Sequence, residues 1–166
     1  EWMAATMVEF DTILKMGVLE PISTIPSHVS NIVGTRFIFK LKRLADGTID
    51  KYKARLVAQG FSQEEGVDYD QTFAPVTTVL TFRFILISCV SFGLTAWHVD
   101  VKSAFLNAKL AAAIYVKLPQ GFEHKNCRYA KLLKSLYGLK QAARDWYQLQ
   151  HKTLIQFDQR LRRSDV

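Results

Sequence analysis

Thr35-Arg36-Phe37-Ile38-Phe39-Lys40-Leu41-Lys42, then Ala45-Asp46-Gly47-Thr48, then Ile49-Asp50-Lys51-Tyr52-Lys53-Ala54-Arg55-Leu56-Val57-Ala58: the reading of these runs decides the fold. The first alternates polar and apolar residues, as a half-buried strand does, because successive strand side chains point to opposite faces. The Asp-Gly pair is a hairpin signal, since tight hairpin turns need positive φ and glycine adopts it without strain. The third run reads as the returning strand. Lys53 and Arg55 are two apart and therefore share a face. The expected product is a hairpin whose exposed face is lined with cations.

Around the hairpin, Met3, Met7, Phe10 and Leu14 fall at helical spacing and Gly17 is placed to end a helix over residues 2–16. Pro21 and Pro26 mark a loop, and residues 61–76 have turn character up to Pro75. Residues 78–92 read as a buried helix with Leu80, Phe84, Ile87 and Val90 on one side. Thr95 to Val101 reads as a strand, apolar except for Asp100 near its end. Residues 101–110 look turn-like or helical, and Tyr115 to Leu118 is a short strand stopped by Pro119 and Gly121. Lys131-Leu132-Leu133 leads to a break at Tyr137-Gly138-Leu139, and an amphipathic helix runs from about Gln141 to Phe157. Helices and strands mix without regular βαβ alternation, so the fold class is α+β.

The 166 residues suit one domain. An apolar share of 49% can bury a core, which excludes wholesale disorder. The longest charge-free apolar stretch, Phe84 to Trp97, is shorter than the roughly 20 residues of a membrane span. No signal peptide is visible, and a start at Glu1 suggests a piece cut from something longer. Cys89 and Cys127 stand alone, without C-x-x-C, and His28, His98, His124 and His151 show no H-x-x-x-H spacing. These exclude a disulfide scaffold and argue against Cys- or His-based metal sites, leaving two reduced thiols in an intracellular protein.

The formal charge of +7 is unevenly spread. Arg36 to Gly60 holds seven cations and two acids; Lys125 to Arg144 holds six cations and no acid; between them lie Glu64, Glu65, Asp68 and Asp70. Two basic segments can converge on one polyanion, or can be solvated faces of a strand and a helix. Asp100, where an apolar run ends, is a candidate hard-cation ligand, though a carboxylate there also serves as a turn or cap residue.

Lys53-Ala54-Arg55-Leu56-Val57-Ala58-Gln59-Gly60-Phe61, Phe73-Ala74-Pro75-Val76, Asp100-Val101-Lys102-Ser103-Ala104-Phe105-Leu106-Asn107 and Leu136-Tyr137-Gly138-Leu139-Lys140-Gln141-Ala142 occur in that order. Together they closely resemble the reverse transcriptase of copia-type LTR retrotransposons. Trp2…Glu9 and Pro119-Gln120-Gly121-Phe122 fit as well, so the resemblance covers essentially the whole chain.

The resemblance implies a partial right-hand polymerase: fingers over about 1–76, palm over 77–107, fingers again over 108–140, and a palm helix with a truncated tail over 141–166. Asp100 would be the first catalytic aspartate and a ligand of two Mg²⁺ ions. Lys40, Lys42, Lys53 and Arg55 would be fingers cations, with no indication of which meets triphosphate and which meets template. Phe105, five positions after Asp100, would be a ring pressed against the sugar to exclude a ribose hydroxyl; the plain alternative is a core residue. Tyr137, Gly138, Lys140 and Gln141 would contact nucleic acid, or else form a helix N-terminus entered through a glycine turn. The implied partners are an RNA or DNA template-primer and a dNTP, with no membrane, in a cytoplasmic particle or the nucleus.

Departures qualify this. Ala108 stands where the family has Gly, Ala143 where it has Pro, and Gln156 where it has Gly. The later Asp-Asp motif is not found, and thumb and RNase H parts are missing. One carboxylate cannot hold two Mg²⁺ at the roughly 3.5–4 Å spacing of two-metal chemistry. The expectation is a reverse-transcriptase fragment inactive by itself, with open apolar surface on the palm side. The competing readings are a non-catalytic nucleic-acid-binding module and a remnant that does not fold stably.

Overall fold

The hairpin forms as the alternation requires. In the computed structural model, which describes residues 1–164 and side chains through Asp158, strand β2 (Val33–Arg43) pairs antiparallel with β3 (Ile49–Ala58). Gly47 takes φ +84 in the turn, and the Asp46 carboxylate accepts hydrogen bonds from the backbone N–H (2.9 Å) and hydroxyl (2.6 Å) of Thr48. Lys40 lies opposite Lys53 and Lys42 opposite Lys51, so the cations do share one face.

Helix α1 (Trp2–Lys15) precedes the hairpin and packs along β3. Its buried stripe is Thr6, Phe10 and Ile13 rather than the expected methionines; Met3 and Met7 are exposed. After Gly17 the chain enters β1 (Leu19–Ile22), which includes Pro21 and corrects the loop expected there. Proline is tolerated because β1 is an outer strand, where a missing N–H breaks no ladder. Strands β4 (Lys109–Lys117) and β5 (Tyr129–Lys134) complete a five-stranded sheet in the order β1-β5-β4-β2-β3. Only β2 and β4 run parallel, meeting at Val33–Val116 and Gly34–Lys117. The base of β2 therefore belongs to the sheet's centre while its far end carries the hairpin into solvent.

The core gathers Phe10 and Ile13 from α1, Val33 and Leu56 from the hairpin base, Ile114, Val116 and Leu132 from the rest of the sheet, and Leu136 from the segment after β5. Leu106, fully buried, adds the 3₁₀ turn Ala104–Asn107 to it. Helix α3 (Ala142–Ser164) closes the chain and packs on that turn. The polar tail expected over 157–166 lies, from Gln159 on, outside the described side chains.

Two expectations fail between Val79 and Val101. Helix α2 (Val79–Ser91) forms, capped by the Thr78 side chain accepting from the Thr81 N–H at 3.2 Å, but none of its residues is buried. An all-round apolar helix signals burial only if another layer packs on it, and among the described residues none does. The predicted strand at Thr95–Val101 is irregular and exposed, with Trp97 86% accessible. A strand needs a ladder partner, and this run has none among the described residues. Leu80, Phe84, Ile87 and Val90, expected on the buried side of α2, are all exposed and leave an open apolar surface. The architecture is mixed α+β around one curled sheet. No described helix is long and apolar enough to cross a membrane. Cys89 and Cys127 are both free thiols.

Candidate functional site

One cavity of about 640 Å³ opens between α1, the β3 edge and the segment from Asp100 to Phe105. Three features of the fold build it. Strand β3 sends Lys51, Lys53 and Arg55 to its wall; the 3₁₀ turn, anchored through Leu106, sets Phe105 at its floor; and the Tyr137-Gly138 loop closes its end. Phe105 packs on the Tyr137 ring at 5.6 Å, and the Arg55 guanidinium lies 5.5 Å from the centre of that same ring. Asp100 and Lys102 enter from the exposed run before the turn.

The Tyr137-Gly138 loop is fixed against the outer edge of β3. The Ala58 N–H donates to the Tyr137 carbonyl at 2.7 Å. Gly138 has φ +88, and a Cβ there would lie 2.2 Å from the Ala58 carbonyl oxygen. Gly60 faces the same loop, where a Cβ would meet the Gly138 oxygen at 2.1 Å. Both glycines are required by backbone-to-backbone approach within the protein.

Charge in the cavity is crowded. Lys51, Lys53, Arg55 and Lys102 face two carboxylates, Glu9 and Asp100. The Lys53 ammonium is pushed below its ordinary value, first by partial burial and then by the neighbouring charges of Arg55, Lys42 and Lys51. Glu9 is pushed up, because burial outweighs the Leu56 amide and the two cations Arg55 and Lys53. Burial also raises Tyr137, against a hydrogen bond from Ser103.

Five of the nominated residues, Asp100, Lys53, Arg55, Phe105 and Tyr137, thus meet in one cavity. Lys40 and Lys42 do not line it; they lie on the same face as Lys53 and Lys51 but on the neighbouring strand β2. Gln141 is buried and its carboxamide is taken up inside the protein, accepting from Gln63 at 3.0 Å and donating to the Asp68 carbonyl at 2.9 Å. Lys140 donates through Nζ to the Tyr69 hydroxyl at 3.0 Å and its cation sits 4.6 Å from the Tyr69 ring centre. These two side chains join the 61–71 loop to the start of α3; Gln141 is buried there, while Lys140 stays exposed.

A family profile described as reverse transcriptase (RNA-dependent DNA polymerase) matches residues 21–166. The chain belongs to that family. It is 46% identical over 114 residues to the retrovirus-related Pol polyprotein from transposon TNT 1-94 of Nicotiana tabacum, covering 68% of this chain and 9% of that polyprotein. It is 45% identical over 124 residues to the Pol polyprotein from transposon RE1 of Arabidopsis thaliana, covering 74% of this chain and 8% of the polyprotein. An uncharacterized mitochondrial protein of Arabidopsis thaliana, AtMg00820, is 42% identical over 87 residues, 51% of this chain and 49% of that protein. No solved structure matches. The chain therefore spans less than a tenth of the two Pol polyproteins, as a fragment of a copia-type reverse transcriptase domain.

Sequence reading of this reverse transcriptase segment missed Glu9, Lys51 and Lys102 as cavity residues. Lys102 adjoins a nominated motif and Lys51 belongs to the cationic strand, so both carried a signal. Glu9 belongs to the Trp2…Glu9 stretch that fits the family, but its place in the cavity depends on how α1 packs along β3.

Proposed function

We propose that this chain forms fingers and the first part of the palm of an RNA-directed DNA polymerase, with fingers over about 1–76 and 108–140 and palm over 77–107 and 141–166. In this reading the cavity receives the triphosphate of an incoming dNTP. One observation carries it: Asp100, Lys53, Arg55 and Phe105, remote in sequence, line one cavity. Arg55 grips phosphate oxygens through its planar fork of donors, and Lys53 adds a point charge. Phe105, braced by Tyr137, meets the sugar and rejects a 2′-hydroxyl by shape, because binding alone discriminates poorly against an added hydroxyl.

The exposed Asp100 carboxylate is a hard oxygen donor. Mg²⁺ is commonly held by one or two carboxylates plus substrate phosphate and keeps its other positions as water. The donor set therefore fits one ion shared with the triphosphate. It does not fit a pair, since no group of three or more His, Cys, Asp or Glu converges among the described residues. When bound, such metals neutralise phosphate charge and activate the primer hydroxyl. In this reading the 166-residue chain binds nucleotide without extending a primer. Calorimetric titration of dTTP with Mg²⁺ tests it: Arg55→Ala is expected to weaken binding about tenfold or more, the cost of a charge-assisted contact, and equal affinity overturns the assignment.

A second reading has its own support. The hairpin sets Lys40 against Lys53 and Lys42 against Lys51, with Arg36 and Arg55 on the same face. Like charges directly opposite destabilise a strand pair unless an anion neutralises them. That face suits the phosphate backbone of a template, without catalysis.

A further inference from the structure

Strand β3 is the outer strand of the sheet, so the amides of Leu56 and Ala58 point away from the ladder. The Tyr137 carbonyl covers that of Ala58; the Glu9 carboxylate, from the middle of α1, accepts from that of Leu56 at 3.4 Å. This contact holds a half-buried carboxylate in the cavity beside the two cations, Lys53 and Arg55, assigned above to phosphate. The groups facing it are Lys51, Lys53 and Arg55 from β3, Asp100 and Lys102 from the segment before the 3₁₀ turn, and Tyr137 from the closing loop. No histidine lines the cavity among the described residues.

We propose that Glu9 is a built-in counter-anion, a positioning residue that steadies Arg55 and Lys53 in the nucleotide-free protein and competes with an incoming phosphate chain for them. The proposal rests on the phosphate reading of the cavity. Two like charges two residues apart on a strand repel, and a carboxylate beside them offsets that repulsion. A polyphosphate brings more negative charge than Glu9 and displaces it electrostatically. Glu9 thus weakens resting affinity and makes it depend on pH. Burial raises its pKa, so as pH falls the carboxyl is neutralised before an ordinary glutamate would be, and the cavity becomes more cationic.

Tripolyphosphate is the probe, titrated calorimetrically into the 166-residue chain and into Glu9→Gln, which keeps an oxygen acceptor for the Leu56 N–H. Comparing the two at each pH cancels the titration of the probe itself. At neutral pH Glu9→Gln is expected to bind about fivefold tighter, the size of one nearby charge at a partly screened surface. The ratio is expected to shrink toward unity as pH falls through the carboxylate range. Should Glu9→Gln lose cooperative unfolding, Glu9→Ala is expected to show the same ratio and the same collapse. Binding that Arg55→Ala abolishes, yet that is equal in wild type and in the Glu9 variants at neutral pH, overturns the role of Glu9 and leaves the phosphate reading standing. No binding by any of the proteins overturns both.

Discussion

Replacing Gly138 by alanine tests how the site is held together. The residue has φ +88, and a Cβ on it would stand 2.2 Å from the Ala58 oxygen and 3.2 Å from the Ala58 nitrogen. These are backbone atoms of a strand, so no side-chain rotation relieves the overlap. The left-handed conformation costs a non-glycine residue about 1–2 kcal/mol. Separating the loop from β3 removes the Ala58–Tyr137 hydrogen bond, worth about 1 kcal/mol. Repacking Tyr137 away from Phe105 and Arg55 adds to this, for a total of about 3 kcal/mol. Gly47 is the control: its φ of +84 is similar, but a Cβ there meets nothing within 4 Å. Gly47→Ala should cost only the conformational part, about 1–2 kcal/mol. Gly60→Ala supplies the converse, a clash with the Gly138 oxygen at 2.1 Å without positive φ. Urea midpoints at constant slope measure all three. If Gly138→Ala is no more destabilising than Gly47→Ala, the loop is not pinned to β3 and the cavity's end wall is misassigned.

Two further outcomes are expected. Asp145, buried in the first turn of α3, accepts from the Ser135 hydroxyl at 2.6 Å, and burial raises its pKa against that bond and Arg144. The folded state thus holds the proton more tightly than the unfolded chain; the stability gained is full below the unfolded carboxylate pKa and is lost as pH rises through the folded one. Asp145→Asn keeps an acceptor for Ser135 and should flatten that part of the pH–stability profile, being at neutral pH as stable as wild type or up to about 1 kcal/mol more stable; a loss of stability there contradicts the sign. For the hairpin face, single-stranded oligonucleotide affinity should fall steeply with salt, and Lys40→Ala should reduce the slope of log K against log salt by about 0.7; an unchanged slope removes Lys40 from the phosphate-binding face.

The hairpin was legible because its signals are local: alternation, an Asp-Gly turn and alternation again. Helices α1 and α3 were legible from spacing for the same reason. Strand β1 was hidden by Pro21, which reads as a loop unless the strand is known to be an outer one. Strand β5 was missed because Lys131 and Lys134 blur the apolar pattern of Ala130 and Leu132. The failures at α2 and Thr95–Val101 share one cause. Apolar composition states what a segment needs to bury, while burial itself depends on a partner layer. At the site, motif order singled out Asp100, Lys53, Arg55 and Phe105, and these do meet in the cavity. Gln141 lay in an equally suggestive motif but is buried and bound to Gln63 and Asp68, in a loop remote in sequence. A motif gives residue type and order; which side chains remain available to a ligand is decided by tertiary packing.

The central claim is that Asp100 and the β3 cations form one nucleotide site. Titration of dTTP into wild type and Asp100→Asn, each with and without Mg²⁺, tests it most directly. The account predicts saturable binding that Mg²⁺ strengthens in wild type and leaves unchanged in Asp100→Asn. Equal enhancement by Mg²⁺ in both proteins, or no saturable binding in either, contradicts it.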